Sequence, residues 1–268
     1  MSRRTKGVSI PLLLSVGLLI VLWPVFTYGE PIVSVQAVRT DITVDGDTSD
    51  WIGIPGTAVS MVPAFGPPTR FVDVELRAAY NDDQVFILLK IQDDYDLVIG
   101  NHHLSGHIAV QFAIDAGAGP HMGTDGVNLS TSLGMVDIWH WELETSPGVL
   151  TGGLASSTGG AGGNDPDANF DDEYATTPFD RHDDDQDNKL TGAWSHTGQA
   201  GGNGTPGVYI FEMSRPLQTG DPQDLQFLIG ETYQLALAYW DPDETPNGWT
   251  DAGHLQSTNF VWIALKLG

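Results

Sequence analysis

A methionine in a glycine-rich stretch is the first residue whose type and setting suggest chemistry. Met122 lies in "AGPHMGTDGV" (118–127), between Gly119 and Gly123. One interpretation is packing, because a flexible methionine side chain fills irregular gaps well. The other is metal ligation, because a thioether can bind haem iron together with a nitrogen donor. The second interpretation requires a nitrogen ligand elsewhere in the chain.

Histidine is the first place to look for that nitrogen. The chain has eight histidines, and none has the spacing of a zinc motif such as His-Glu-x-x-His. His254 lies in "PNGWTDAGHLQST" (246–258), at a joint between a loop and a strand, and its position makes it the preferred second ligand. In "DIWHWE" (137–142), strand alternation places Trp139 and Trp141 on one face and His140 on the other. Such an aromatic strand either walls a flat cofactor or forms ordinary core.

Carboxylates are abundant and widely spread. Asp183, Asp185 and Asp187 alternate in "DRHDDDQDNK" (180–189), but the glycine and closing glutamate of an EF-hand are missing. An irregular calcium site is therefore the other metal site that the sequence suggests. The formal net charge of −24 at pH 7 indicates a surface that repels nucleic acid and anionic lipid, so neither is an expected partner. Solvation alone also explains such acidity.

The absence of cysteine limits the chemistry further. The sequence contains no Cys, which excludes disulfides, thiolate metal sites, iron–sulfur clusters and covalent c-type haem attachment. Any metal must be held by His, Met, Lys, carboxylates or carbonyls. The sequence also has no Gly-x-Ser-x-Gly motif and no phosphate-binding loop.

The first 29 residues differ from the rest of the chain. Arg3, Arg4 and Lys6 precede an apolar run from Val8 to Tyr28, the order found in a secretory signal. The run is also long enough for an uncleaved N-terminal membrane anchor. Both interpretations predict an exported protein, periplasmic or extracellular, whose residues 30–268 form one domain.

The elements that position these side chains are predicted to be strands. Short runs that alternate apolar and polar residues are separated by Gly, Pro, Asp and Asn, which is typical of an all-β sandwich. The nine candidates are SVQAVR, DITVDG, VDVELRAAYN, QVFILLKIQD, GHIAVQFAID, VDIWHWELE, GVYIFEMSRP, YQLALAYWD and FVWIALKL. Residues 147–206 are rich in Gly and Asp and have little to bury, so they are expected to form a long loop insertion between core strands.

Several stretches, in this order, resemble the haem-binding domain of the ethylbenzene dehydrogenase family. This is the γ-subunit domain of ethylbenzene, dimethyl sulfide and chlorate oxidoreductases, and it also occurs in free-standing periplasmic cytochromes. The resemblance spans roughly residues 40–268. The stretches that carry it are "ITVDGDTSDW" (42–51), "HIAVQFAIDAGAGPHMGTDG" (107–126), "VDIWHWELE" (136–144), "MSRPLQTGD" (213–221) and "LALAYWDPDETPNGW" (235–249).

The resemblance implies a β-sandwich that holds one non-covalent haem b and transfers single electrons without catalysing a reaction of its own. The family's axial ligands are a Met, which corresponds to Met122, and a Lys after the Trp-Asp strand. This sequence has no lysine there, because Lys266 lies in the last strand. His254 occupies the joint instead, and the related DOMON cytochromes use a Met/His pair. If His254 is only a surface residue, the fold has kept its shape and lost its haem.

The resemblance also suggests which residues surround the haem and which partner the protein has. Phe112, Trp139, His140 and Trp141 are expected to wall the cofactor, and Arg215 either pairs with a propionate or acts as a structural anchor. The partner would be a redox protein, either the subunits of a molybdenum oxidoreductase or another cytochrome. Membrane contact would come only from the N-terminal segment.

Two rival functions remain from other classes. The opening "ITVDGDTSDW" is shared with carbohydrate-binding β-sandwiches, which would use Trp139, Trp194 or Trp249 as exposed stacking platforms beside calcium-stabilised loops. A surface-layer or adhesive domain with solvating acidic loops is the third reading. Likeness of fold alone does not choose among the three.

Overall fold

Strands account for nearly all regular structure in this protein. The computed structural model describes residues 33–65, 71–143, 154–156, 170–183, 189–250, 253–257 and 261–268. The first seven strands are β1 (Ser34–Arg39), β2 (Thr57–Pro63), β3 (Val72–Tyr80), β4 (Gln84–Tyr95), β5 (His107–Ala113), β6 (Val136–Glu142) and β7 (Leu154–Ser156). The others are β8 (Phe170–Ala175), β9 (Arg181–Asp183), β10 (Thr191–His196), β11 (Thr205–Pro216), β12 (Thr232–Trp240), β13 (Leu255–Ser257) and β14 (Ile263–Leu267). Three single-turn 3-10 helices lie at Ser49–Trp51, His102–Leu104 and Gln199–Gly201.

The fourteen strands form one folded-over sheet with two halves. One half runs β7-β10-β11-β4-β3 and the other runs β12-β5-β6-β8-β9. The β1–β14 pair and the β2–β13 pair both join the halves between β3 and β12, each at a different part of those two strands. Only the pairings of β1 with β14 and β3 are parallel among the described strands. The all-β sandwich predicted from the sequence is confirmed.

The main core lies between the two halves. Interior side chains of β3, β4 and β11 meet those of β5, β6 and β12, and the cluster includes Leu89, Phe211, Val110, Trp139 and Leu237, all at most 2% exposed. Alternation decides which side chains enter it, because successive residues of a strand point to opposite faces. The residues that matter for function therefore lie on the outer faces.

The outer face of β4 is covered by the segment that follows β1. Phe86 and Leu88 pack there against Trp51, which explains why β4 is apolar on both faces. The stretch "DITVDG" (41–46) was predicted as a strand, and this prediction is wrong. The backbone amides of Asp45 and Gly46 donate to the carboxylate of Glu212, at 3.0 and 2.6 Å, in place of bonds to a neighbouring strand.

Residues 147–206 are only partly a loop. The prediction of an insertion without core strands is wrong for this region, because β7, β8, β9 and β10 all fall within it. In β8 the sequence "FDDEYA" buries Asp171, Asp172 and Glu173, each at most 5% exposed. The sequence did not predict this strand because its acidic residues suggested an exposed loop, since buried carboxylates are rare unless they are paired. Residues 147–153, 157–169 and 184–188 of this region lie outside the described part.

The N-terminal signal or anchor predicted at residues 1–29 lies outside the described residues. Within the described ranges, no helix has the length and apolar character that a membrane span requires.

Candidate functional site

A cleft opens on the outer face of the half formed by β12, β5, β6 and β8. It has a volume of about 750 Å³, and an adjoining apolar cavity adds about 70 Å³. Both spaces are lined by Met122, His121, His140, Arg181, Trp240 and His254. A volume of this size is typical of a small-molecule or cofactor site.

The floor of the cleft is built from small side chains in register. Ala238 of β12 pairs with Ala109 of β5, which pairs with His140 of β6. Two residues further along each strand, Ala236 pairs with Gln111, which pairs with Ile138. Alanines at these positions leave the sheet surface low and flat, so that a planar group could lie against it.

One wall of the cleft is a tight loop between β5 and β6. The amide of Gly123 donates to the carbonyl of Gly119 at 3.1 Å, and Thr124 donates to His121 at 2.9 Å. A β-carbon at Gly119 would overlap the carbonyl oxygen of Thr124. Glycine is therefore required at this point for the loop to close.

Met122 is held at the apex of this loop in an unusual backbone conformation. Its φ is 46°, which makes it the one non-glycine residue with positive φ in the described part of the chain. Its amide donates to the side-chain oxygen of Gln111 at 3.0 Å. Its side chain packs against the apolar cluster on the outer face of the sheet, which includes Ala109, Ile138 and Ala236. A left-handed conformation at a bulky residue is strained, and such strain is concentrated at functional sites.

His254 lies on the opposite segment, immediately before β13, and is 9% exposed. Its ring stacks in parallel on His121, with centroids 5.8 Å apart, and lies 5.1 Å from the ring of Trp240. His121 Nδ1 is 3.0 Å from Gln256 Oε1. Burial lowers the pKa of His121, against the opposing effect of the Gln256 hydrogen bond, so His121 is neutral at pH 7.

His140 is the third predicted site residue that lines the cleft. Its Nδ1 lies 3.2 Å from Glu142 Oε1 and 3.3 Å from Glu173 Oε1. Arg181 Nη1 lies 3.4 Å from the same oxygen of Glu173. Burial alone would raise the pKa of Glu173, but Arg181 and His140 hold that pKa below its usual range. The carboxylate is therefore ionised and accepts from His140.

Phe112, Trp139 and Trp141 lie on the other face of the same strands. All three are fully buried in the core between the halves, where Trp139 packs against Phe112 with centroids 4.9 Å apart. They therefore support the strands that form the cleft but do not line it. Alternation along β6 separates Trp139 and Trp141 from His140, as the sequence pattern indicated.

Arg215 lies in the interior, where it links the two halves. Its guanidinium bonds to both carboxylate oxygens of Asp137, and Nη1 lies 2.7 Å from Asp224 and 3.4 Å from Asp172. Burial raises the pKa of Asp137 and of Asp224, and the Arg215 guanidinium only partly opposes that rise. These contacts match the anchoring role, and Arg181 is a cation that does line the cleft.

The features expected of a sugar or calcium module are placed differently. Trp139, Trp194 and Trp249 are 0%, 1% and 7% exposed, so none offers an open stacking platform. Asp185 and Asp187 lie outside the described residues. A separate group of carboxylates, Asp94, Asp96 and Asp243, lies with oxygens within 4.8 Å of one another.

That acidic group perturbs one of its members. Burial raises the pKa of Asp96 to about 6, and repulsion from Asp94, Asp243 and Asp93 adds to the effect.

The sequence reading missed four residues that shape the cleft: Gln111, His121, Arg181 and Trp240. Strand alternation gave a usable signal for Gln111 and Trp240, because each shares a face with alanines of its own strand. His121 directly precedes Met122, and no periodicity marks its role. Arg181 was hidden in the segment taken for a loop.

Comparisons with known proteins identify the family and the fold. The family model for ethylbenzene dehydrogenase matches residues 48–252. Comparison with curated proteins gives no significant match. Among solved structures, a candidate carbohydrate-binding protein from Bacteroides uniformis superposes with a TM-score of 0.52 at 10% identity, covering 87% of this chain and 99% of that one.

A carbohydrate-binding module of family 9 from Caldicellulosiruptor kristjanssonii, in complex with cellotriose, has a TM-score of 0.46 at 9% identity. It covers 87% of this chain and 93% of its own. At these identities the structural likeness concerns the fold alone. The family match extends over most of the chain, and it includes Met122 and the strands that form the cleft. The chain belongs to the ethylbenzene dehydrogenase family.

Proposed function

We propose that this protein is an exported b-type cytochrome domain, which binds one haem b without covalent attachment and transfers single electrons. The observation that carries the proposal is that Met122 and His254 line the same cleft, although 131 residues lie between them in the sequence. The pairing of β13 with β12 brings the two segments together. A thioether and an imidazole are a ligand pair that haem iron accepts.

The residues of the cleft fit a haem group in three respects. The donor set combines one soft sulfur, from Met122, with one imidazole nitrogen, from His254. The floor of Ala109, Ala236 and Ala238 is apolar and low enough for a flat macrocycle. The sequence has no Cys for thioether attachment, which fits non-covalent haem b.

Each cleft residue then has a distinct role. Met122 and His254 would hold the iron, and the strained loop backbone would present the thioether. Arg181 would pair with a propionate by a charge-assisted hydrogen bond, in place of the interior Arg215. Trp240 packs beside His254 and would limit water at the ligand. When bound, haem supplies a one-electron redox couple whose potential methionine ligation raises.

The protein would act with other proteins and not alone. The N-terminal segment would export it to the periplasm or the cell exterior, cleaved or retained as an anchor. Its electron partner would be a redox protein, either a molybdenum oxidoreductase subunit or a cytochrome. A net charge of −24 favours a partner with a basic docking surface and disfavours nucleic acid.

The test is a visible absorption spectrum of the protein expressed with haem available, before and after dithionite reduction. We expect about one haem per chain and a sharp α-band in the reduced form. Met122→Ala should lower haem content or shift the spectrum and potential, while Met135→Ala, a nearby methionine outside the cleft, should leave them unchanged. A wild-type protein that stays colourless with added haem would overturn the proposal.

A further inference from the structure

A cluster of buried side chains at one end of the cleft includes none of the proposed haem ligands. His107 is the first residue of β5, and its backbone pairs with Glu142 of β6 and with Trp240 of β12. His140 lies two residues before Glu142 on the same outer face. One ligand atom from each of His107, His140 and Glu142 lies within 4.8 Å of the others.

Three imidazole nitrogens of this cluster have no hydrogen-bond partner in the described part of the protein. Both ring nitrogens of His107 and Nε2 of His140 are buried there without a hydrogen-bond partner, and the two residues are 1% and 3% exposed. A buried polar group without a partner destabilises a fold, because it loses its hydrogen bonds to water and gains none in return. Two such imidazoles side by side therefore indicate that another atom belongs between them.

The protonation states suit a metal cation. His140 Nδ1 faces the ionised carboxylate of Glu173 at 3.3 Å, so Nδ1 carries the proton and Nε2 carries the lone pair. The contact between Glu173 and His140 also resembles the carboxylate–histidine pairs that orient metal-bound imidazoles.

We propose that His107, His140 and Glu142 form a binding site for a divalent transition-metal ion of the Zn²⁺ class. Two imidazoles and one carboxylate are a frequent ligand set for zinc and leave a coordination position for a further ligand. The cleft gives the ion a path, because His140 and Glu142 line it. The site uses neither Met122 nor His254, so it does not depend on the proposed haem function.

The experiment measures Zn²⁺ binding to the full-length protein after chelator treatment, by calorimetry and by metal analysis. We expect about one Zn²⁺ per chain with a dissociation constant in the micromolar range or tighter. Co²⁺ added in its place should give the visible bands of a four- or five-coordinate ion. Glu142→Gln and His140→Ala should each weaken Zn²⁺ binding at least tenfold.

Two controls keep the outcome interpretable. His182→Ala removes an exposed histidine that pairs with Asp180 and should leave Zn²⁺ binding unchanged. Zn²⁺ should raise the thermal midpoint of the wild type and of Met122→Ala but not of Glu142→Gln, a variant of nearly the same shape. The proposal is overturned if the wild type binds no Zn²⁺ below about 100 μM, or if the triad variants bind it as the wild type does.

Discussion

The imidazole rings of His121 and His254 lie parallel, with an interplanar angle of 10° and centroids 5.8 Å apart. His121 belongs to the loop that carries Met122, whereas His254 belongs to the segment that enters β13. The stacked pair therefore fixes the distance between two segments far apart in the chain. It also presents two nitrogens to one cleft, only one of which is the proposed ligand.

The first prediction separates these two histidines. His254→Ala should remove the nitrogen ligand and lower haem content or convert the low-spin spectrum to high spin. His121→Ala should keep a low-spin spectrum, because His254 would still supply the nitrogen ligand while His121 only stacks on it. Visible and paramagnetic resonance spectra of both variants provide the measurement. A reversed result would assign the iron to His121.

The second prediction concerns the backbone of Met122. With φ at 46°, this residue has a conformation that costs an L-residue about 1 kcal/mol and costs glycine almost nothing. Met122→Gly should therefore be more stable than Met122→Ala by about 1 kcal/mol. Urea unfolding of the two haem-free variants measures the difference.

Comparing these two variants cancels the loss of side-chain packing, since both lack the methionine beyond the β-carbon. At an ordinary loop position alanine is the more stable of the two. Equal stability, or a more stable alanine, would show that the loop relaxes and stores no strain.

The third prediction distinguishes the two arginines. Arg215→Met should destabilise the fold by about 3–5 kcal/mol, because it leaves Asp137, Asp172 and Asp224 buried together without their cation. Arg181→Met should affect stability much less, since Arg181 is partly exposed, but it should weaken haem binding several-fold. Urea midpoints and haem titrations of both variants test this. Equal effects of the two substitutions on haem affinity would contradict it.

The loss of folding stability caused by Arg215→Met should depend on pH. The pKa values of Asp137 and Asp224 are raised in the folded protein. A carboxyl with a raised pKa stabilises the folded state at low pH, and that contribution is lost as pH rises through the folded pKa. The variant should therefore lie closest to the wild type in acid and furthest from it at neutral pH.

The fourth prediction follows from Asp96, whose pKa burial raises to about 6 from an ordinary value of 3.8. Because the folded state binds this proton more tightly, the group favours folding below pH 4 and loses that effect as pH rises through 6. Asp96→Asn should therefore gain stability on the order of 1 kcal/mol at pH 7.5, since solvent screens a half-exposed carboxylate. The gain should vanish near pH 4.

Denaturant unfolding at several pH values measures the effect. Asp243→Asn removes one of the repelling neighbours and should produce a smaller shift in the same direction. A constant difference between Asp96→Asn and the wild type at all pH values would contradict the prediction.

Much of the fold follows from sequence alternation, and the exceptions have physical causes. The runs assigned to β3, β5, β6 and β12 were predicted because one face of each enters the core. The buried β8 was missed because Asp171, Asp172 and Glu173 look solvated in the sequence. Their burial depends on cations elsewhere in the chain, such as Arg215 and Arg181.

The candidate site was predictable in part. Met122 stood out by its setting, and the family resemblance led to His254. The meeting of His107 with Glu142 depends on the register of β5 against β6 across a long loop, and local sequence does not encode that register visibly. The family resemblance placed Phe112 beside the cofactor and left Arg215 as either a propionate partner or a structural anchor, and alternation puts both side chains in the interior.

The alternation of β6 has a consequence for redesign. Trp139 and Trp141 hold the two halves together, while Ile138, His140 and Glu142 face the cleft between and beside them. The side chains of His140 and Glu142 therefore lie outside the core that the two tryptophans fill. The outer face of this sheet could therefore be redesigned to bind other metals or pigments while Trp139 and Trp141 keep the core packed.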